Sequence, residues 1–364
     1  MEWKTKRWNN FYLYSVTLAI LMNVDKHFFG TTPEGREVFK YTLKNLRGME
    51  VDVINYGAII TAIRIPDKKH EPGDVVLGFD TLEEYLGEHP YFGAMVGRVC
   101  NRVGKSRFEL GGKIFHITAN EGANQLHGGK KGFDKQVWTA CSQKTPDQVS
   151  LILGYESADG EEGYPGALLV EVEYSLNDKN ELGISCRAKT DKPTHVNLTN
   201  HTYFNLNNCT GSILGHELMI ASDRITELDG ESIPTGRILP VEGTPFDFRL
   251  STEIGQRIDK VAPGYDINYV LDMKPGELAR AAAVYDPQSG RSMEILTTLP
   301  GIQLYTSNYV NGIKGKGGRI YEKHSALCLE TQYFPDTPNQ PEFPSSVLMP
   351  GEEYTAVTIY RFGN

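Results

Sequence analysis

The stretch Ala167–Thr190 reads ALLVEVEYSL, then NDKN, then ELGISCRAKT. Two runs of alternating or apolar residues, matched in length and joined by a polar turn, describe a β-hairpin. The same texture extends outward in both directions from Gly30 onward. EVFKYTLKN alternates from Val38 to Leu43, and VDVINYGAIITAIRI is rich in β-branched residues, so both read as strands. In RFELGGKIFHI, Gly111-Gly112 separates two runs of equal length, and glycine accepts the positive φ that a two-residue hairpin turn requires. Helical signals are few and short. DTLEEYLG offers Asp80 as N-cap and Gly87 as a stop. GELARAAAVYD is divided, since its alanines favour helix while Val284 and Tyr285 favour strand. There is no βαβ alternation, no glycine-rich phosphate loop and no Pro/Ser linker. The expected fold is all-β, one large antiparallel β-sandwich with a few short helices.

Composition narrows the function classes. Of 364 residues, 37 are Lys or Arg and 46 are Asp or Glu, a net charge of -9, and no long basic run exists to neutralise phosphates, which excludes nucleic acid as an expected partner. Five cysteines, Cys100, Cys141, Cys186, Cys209 and Cys328, form no CxxC pair and read as free thiols in a reducing compartment. Glycosylation sequons at Asn197, Asn200 and Asn208 surround His201, and glycans there would cover it. At the N-terminus, Lys4, Lys6 and Arg7 precede the uncharged run FYLYSVTLAILMNV, Phe11–Val24. The pattern is like the start of a signal peptide but lacks a small-x-small cleavage site, and it falls short of the roughly 20 apolar residues of a membrane span. The expected organisation is an N-terminal extension over residues 1–26 followed by a single domain over 27–364. A cytoplasmic monomer with no membrane partner is the default, a signal or anchor at residues 11–24 being the alternative.

Chemistry concentrates in a few places. His27, His70, His89 and His216 stand in polar or turn-like contexts and read as surface residues. His127 precedes a double glycine, which permits close approach of backbone or ligand, although a plain tight turn explains it equally well. His201, in Asn200-His201-Thr202-Tyr203-Phe204-Asn205-Leu206, is either a buried structural residue or a proton carrier. Glu330 follows the apolar Leu327-Cys328-Leu329, the position of a carboxylate at the rim of a cleft, or of a salt-bridged strand end. Asp266 lies near Tyr265 and Tyr269, and a carboxylate beside aromatic rings suits a sugar, whose hydroxyls need acceptors and whose C–H face needs a flat apolar surface. No HExxH, EF-hand or GxSxG pattern occurs, so the expected chemistry uses no metal, cofactor or acyl-enzyme. Cys100 beside Asn101 and Arg102 reads as structural.

Several blocks then match one family in order: GAMVGRVCNRVGKSRFELGGKIFHI, NQLHGGKKGFDKQVW, DGEEGYPG, NLTNHTYFNL, TPFDFR, GYDINYVL, GIQLYTSN and LETQYFPDTPNQPEFPS. From about His27 onward the chain resembles the aldose 1-epimerases, also called galactose mutarotases. The resemblance implies a galactose mutarotase-like supersandwich that interconverts the α and β anomers of free hexoses such as galactose and glucose. By that resemblance Glu330 is the general base at the C1 hydroxyl and His201 the general acid at the ring oxygen. Asn101, Arg102, His127, Asp266 and Gln303 are its sugar-binding residues, Asn200 and Thr202 support His201, and Tyr305 is either a stacking ring or a core aromatic. Cys100 stands where the family has a small residue such as alanine. Two alternatives remain on the same fold. A hexose-6-phosphate 1-epimerase would need extra cations at the pocket mouth, with Lys130-Lys131 as one candidate, and a non-catalytic sugar-binding module would have no use for a paired acid and base.

Overall fold

The computed structural model describes residues 22–274 and 276–364. Antiparallel strands dominate it. Ala167–Thr190 forms the expected hairpin, Leu168–Asn177 against Glu181–Thr190, in a register that sets Leu168 opposite Thr190 and Leu176 opposite Leu182. Period-two alternation turns Val170, Val172, Tyr174 and Leu176 inward with Leu182, Ile184, Cys186 and Ala188, all buried. This hairpin lies within a nine-stranded antiparallel sheet. In space its order is Thr139–Lys144, Gln148–Ser157, Leu168–Asn177, Glu181–Thr190, Tyr354–Gly363, Ser292–Thr297, Ala279–Tyr285, Glu217–Ile220 and Thr252–Glu253. The divided GELARAAAVYD segment is thereby resolved as strand, because Ala279–Tyr285 pairs with Ser292–Thr297 on one side and Glu217–Ile220 on the other. Two ladders of hydrogen bonds outweigh the helical preference of four alanines.

A six-stranded sheet carries Tyr203–Phe204, Leu327–Gln332, Gly301–Tyr305, Asp266–Val270, Arg224–Leu228 and Pro234–Pro240 in that order. One face of it is apolar. Leu329, Leu304, Ile302, Ile267 and Tyr269 join Leu182, Ile184, Ile295 and Tyr360 of the larger sheet in one continuous core. The opposite face carries Glu330, Gln303, Asn268 and Asp266. Gln303 is registered against both Glu330 and Asn268, and Asp266 is two residues from Asn268 on the same strand. The chemistry therefore stands on the polar face of a sheet whose other face is core.

The N-terminal strands Asn23–Thr31, Glu37–Lys44, Glu50–Ile54, Ile59–Pro66 and Pro72–Asp74 form a five-stranded meander. Strand pairing starts at Asn23, and Met22 is already buried in the core; the rest of the apolar N-terminal run, Phe11 to Leu21, lies outside the described residues. Gly111 and Gly112 adopt φ of 60° and 75° between Arg107–Leu110 and Lys113–His116, the turn expected there. The short helix Leu82–Leu86 is capped by Thr81 rather than Asp80: the Glu84 carboxylate accepts the Thr81 N–H at 3.0 Å, while Asp80 accepts the N–H of Gly317. Among the described residues no helix is long and apolar enough to cross a membrane.

Candidate active site

Glu330 occupies the middle of a strand that is buried along its whole length, Leu327–Gln332, and is itself 2% exposed. It is at the floor of the pocket, not at the rim where the end of the apolar run had placed it. Its Oε1 lies 3.7 Å from His201 Nε2. Its Oε2 and His201 Nδ1 are both buried without a hydrogen-bond partner. Burial, reinforced by the charge of Asp266, pushes the Glu330 carboxyl well above its usual range, and burial lowers His201 to about 3. In the free protein burial drives both groups towards their neutral forms.

His201 is held by its neighbours in sequence. Its N–H donates to Ala94 O and its carbonyl accepts from Gly93 N, so the backbone is pinned to the Gly93–Ala94 segment. Asn200 donates to Gly93 O and accepts from the Thr202 hydroxyl, which places both residues as supports beside His201. The imidazole lies nearly parallel to Tyr203 at 5.0 Å and to Tyr91 at 6.0 Å, and meets Tyr305 edge-on at 6.4 Å.

His127 approaches from another element, 5.0 Å from His201 between ring centres. Its double glycine has a plain cause. Gly128 has φ of 85° and a Cβ there would lie 2.0 Å from Gly97 O; Gly129 has φ of 103° and a Cβ 2.2 Å from the Glu162 carboxylate. His127 itself, like Asn101 and Tyr91, holds a positive φ despite carrying a side chain, so three residues around the pocket are in strained backbone states. Asn101 donates its N–H to His127 Nδ1 at 3.3 Å. That bond fixes the proton on the other ring nitrogen, making it a donor. His127, His201 and Glu330 bring one potential ligand atom each within 4.8 Å of one another. With its lone pair on Nδ1 already taken, His127 suits donation to an oxygen rather than metal ligation.

Arg102 is tied to two carboxylates. Its Nε and Nη2 donate to Glu121 at 2.7 and 2.9 Å, and its Nη1 lies 3.8 Å from Asp266 Oδ2. Asp266 keeps 25% of its side chain exposed and accepts from Gln303 Nε2 at 2.6 Å. Gln303 in turn accepts from Gln332, so both ends of its amide are engaged in orienting the sheet's polar face. Asn101 Oδ1 accepts the Arg102 N–H. Every residue singled out in the sequence, Glu330, His201, His127, Asn101, Arg102, Asp266 and Gln303, is thus gathered in one cluster at the polar face of the six-stranded sheet. Tyr91, Glu121, Asn268 and Gln332 were not singled out. Tyr91 precedes a glycine turn in HPYFG and carried a weak signal; Glu121, in a polar loop, carried none.

Two surface readings are corrected, while Cys100 agrees with its structural reading. His216 is 1% exposed and fully engaged, and His89 is half-buried with its pKa lowered to about 4 by burial; neither is a free surface histidine. Cys100 has no exposure, its thiol contacts Gln332, and burial raises its pKa despite the adjacent arginine. Lys130 and Lys131 are exposed, and their backbone N–H groups are capped by Glu162. Wider grooves, about 520 Å³ near Leu169 and Arg187 and about 630 Å³ beside Lys314–Gly318, are not lined by any of the buried, unpartnered polar atoms found among the described residues.

An antiparallel β-sandwich that carries an unsatisfied carboxylate opposite an unsatisfied imidazole, with hydroxyl acceptors and rings around them, is the framework of an acid–base enzyme. Residues 40–361 match the family model described as aldose 1-epimerase. The chain is 46% identical over 346 residues to galactose mutarotase of Mus musculus, covering 94% of this chain and 99% of that one. It is 35% identical to aldose 1-epimerase of Escherichia coli strain K12, covering 91% and 96%. Among solved structures, a GalM/aldose epimerase homologue from C. elegans superposes with a TM-score of 0.82 at 31% identity, covering 93% of this chain and 99% of that one. The chain belongs to the aldose 1-epimerase family, and it is an isomerase that interconverts sugar anomers.

Proposed function

We propose that the protein equilibrates the α and β anomers of free hexoses, galactose and glucose among them, with Glu330 and His201 as the proton-transfer pair. The observation that carries the assignment is the 3.7 Å approach of His201 Nε2 to Glu330 Oε1, with the remaining polar atom of each left unpartnered. Sugar hydroxyls and the Arg102 donor stabilise the carboxylate on binding, which moves the shared proton to the imidazole. Glu330 then takes the proton of the C1 hydroxyl. The O–H electron pair forms the C1=O bond, the C1–O5 bond breaks with its pair going to O5, and O5 takes the proton from His201. Rotation about C1–C2 presents the other face of the aldehyde, and closure runs the same transfers in reverse. His127 donates to the ring oxygen, and Asn101, Arg102, Asp266 and Gln303 hold or orient the hydroxyl contacts.

Charge favours the neutral sugar over its 6-phosphate. The Arg102 guanidinium is already met by Glu121 and Asp266, so a phosphate at that edge would meet the fields of two carboxylates beside one committed cation. Polarimetry with α-galactose, α-glucose and glucose 6-phosphate tests this: rapid equilibration of the first two and none of the ester is expected, and activity confined to the ester overturns it. A reducing cytoplasm is proposed on two supports. All five cysteines are free, and the amides of Asn197 and Asn200 are buried and bonded to Tyr333 O and Gly93 O, beyond reach of glycosylation. Glycan at Asn200 in the natural protein would overturn it.

A further inference from the structure

The mechanism uses Arg102 but leaves unexplained why a sugar-binding guanidinium has one whole edge, Nε and Nη2, paired with another residue. Glu121 takes Nε and Nη2 in a bidentate pair at 2.7 and 2.9 Å, although its own side chain is 37% exposed at the pocket edge. Arg102 is 13% exposed, and its backbone is fixed by Asn101 on one side and by Asp336, whose N–H donates to Arg102 O, on the other. Of the five N–H donors of the fork, the two on Nη1 and the second on Nη2 stay clear of Glu121, and Nη1 points at Asp266. The loop carrying Glu121 is sutured in turn: Asn120 bonds Leu126 N, Leu126 O and Gly129 O around His127. We propose that Glu121 is a positioning residue for the epimerase reaction, holding Arg102 so that its Nη1 end meets the sugar beside Asp266 and balancing the guanidinium charge that would otherwise fall on Asp266 and Glu330. The inference rests on the reading of this pocket as the sugar site.

The Arg102 cation lies between Glu121 and Asp266, with Glu330 beyond Asp266. Arg102 is faced by Glu121, Asp266 and Tyr309; Asp266 by Arg102, Glu121, Glu330, Gln303, Tyr203, Tyr305 and Cys328; Glu330 by His201, Asp266, Arg102, Tyr203, Tyr360 and the thiols of Cys100 and Cys328. Without the Glu121 charge, Arg102 acts unopposed on both inner carboxyls and favours their ionised forms.

The isosteric variant Glu121→Gln keeps the volume and loses the charge. The expected result is a rise in KM for galactose of about five- to tenfold, with kcat changed less than twofold, and an acidic limb of kcat/KM displaced to lower pH. Glu121→Asp should restore the wild-type pH limb while keeping part of the KM defect, because the charge returns on a shorter arm. In an Arg102→Lys background, Glu121→Gln should have little further effect, since the fork it organises is gone. Unchanged KM and pH limb, or full additivity with Arg102→Lys, would overturn the proposal. Thermal midpoints of the variants within a few degrees of wild type separate this role from a folding defect. A wild-type protein that leaves galactose unequilibrated would instead refute the sugar-site reading itself.

Discussion

Two histidine–carboxylate pairs lie buried in this molecule at nearly the same separation. His201 Nε2 is 3.7 Å from Glu330, and His216 Nδ1 is 3.8 Å from Asp286; all four side chains are at most 6% exposed. They differ in what the remaining polar atoms do. His216 Nε2 accepts the N–H of Leu206 at 3.0 Å, and Asp286 accepts the N–H groups of Gln288 and Ser289. Leu206 O is held in turn by Ser289 and Arg291, so the second pair clamps the chain just beyond the His201 segment. At the first pair, His201 Nδ1 and Glu330 Oε2 bond to nothing. A buried pair whose every lone pair is used stabilises a fold, whereas one left open is prepared for a ligand that completes it.

The comparison breaks first at the open pair. Glu330→Gln and His201→Asn are each expected to lower the mutarotation rate by about 10²–10⁴-fold, the usual contribution of a placed acid or base, while thermal unfolding stays near wild type. A near-normal polarimetric rate in either variant would remove that residue from the mechanism. At the closed pair the outcome should invert. Asp286→Ala strands a buried imidazole and two backbone N–H groups, and about 3 kcal/mol of stability should be lost in denaturant titrations, with kcat of the folded fraction within twofold of wild type. A large kcat defect in a fully folded Asp286→Ala protein would erase the distinction.

A third buried carboxyl sharpens it. Asp134 is 3% exposed with an unpartnered Oδ1 and no imidazole opposite, and burial raises its pKa to about 7. Between the ordinary value near 3.8 and about 7 the folded protein keeps a proton that the unfolded chain has released, so stability falls as pH rises through that window. Asp134→Asn cannot ionise. Relative to wild type it should gain little at pH 4 and about 4 kcal/mol at pH 8, read from urea midpoints at the two pH values. An equal shift at both would show that Asp134 ionises freely in the fold.

Much of this was legible in the chain. Alternation in Ala167–Thr190 and the Gly111-Gly112 turn specified hairpins because period two and positive φ are local properties. The ordered blocks around His127, His201, Asp266 and Glu330 identified the family and named the pocket's residues. Local reading failed where neighbours distant in sequence decide. GELARAAAVYD became strand through its two partners, Thr81 capped the helix because Asp80 was engaged by Gly317, and Glu330 fell to the floor because its strand is covered on every side.

Histidine shows the boundary most clearly. The sequence by itself determined an antiparallel sandwich, an aldose 1-epimerase and a short set of candidate residues, since periodicity, turn chemistry and motif blocks are written in consecutive positions. Local pattern placed His216 on the surface, and the family resemblance implied a general acid at His201. Only the tertiary structure showed that both are buried and which polar atoms each leaves open, because desolvation and the completion of hydrogen bonds depend on strands brought together from across the chain.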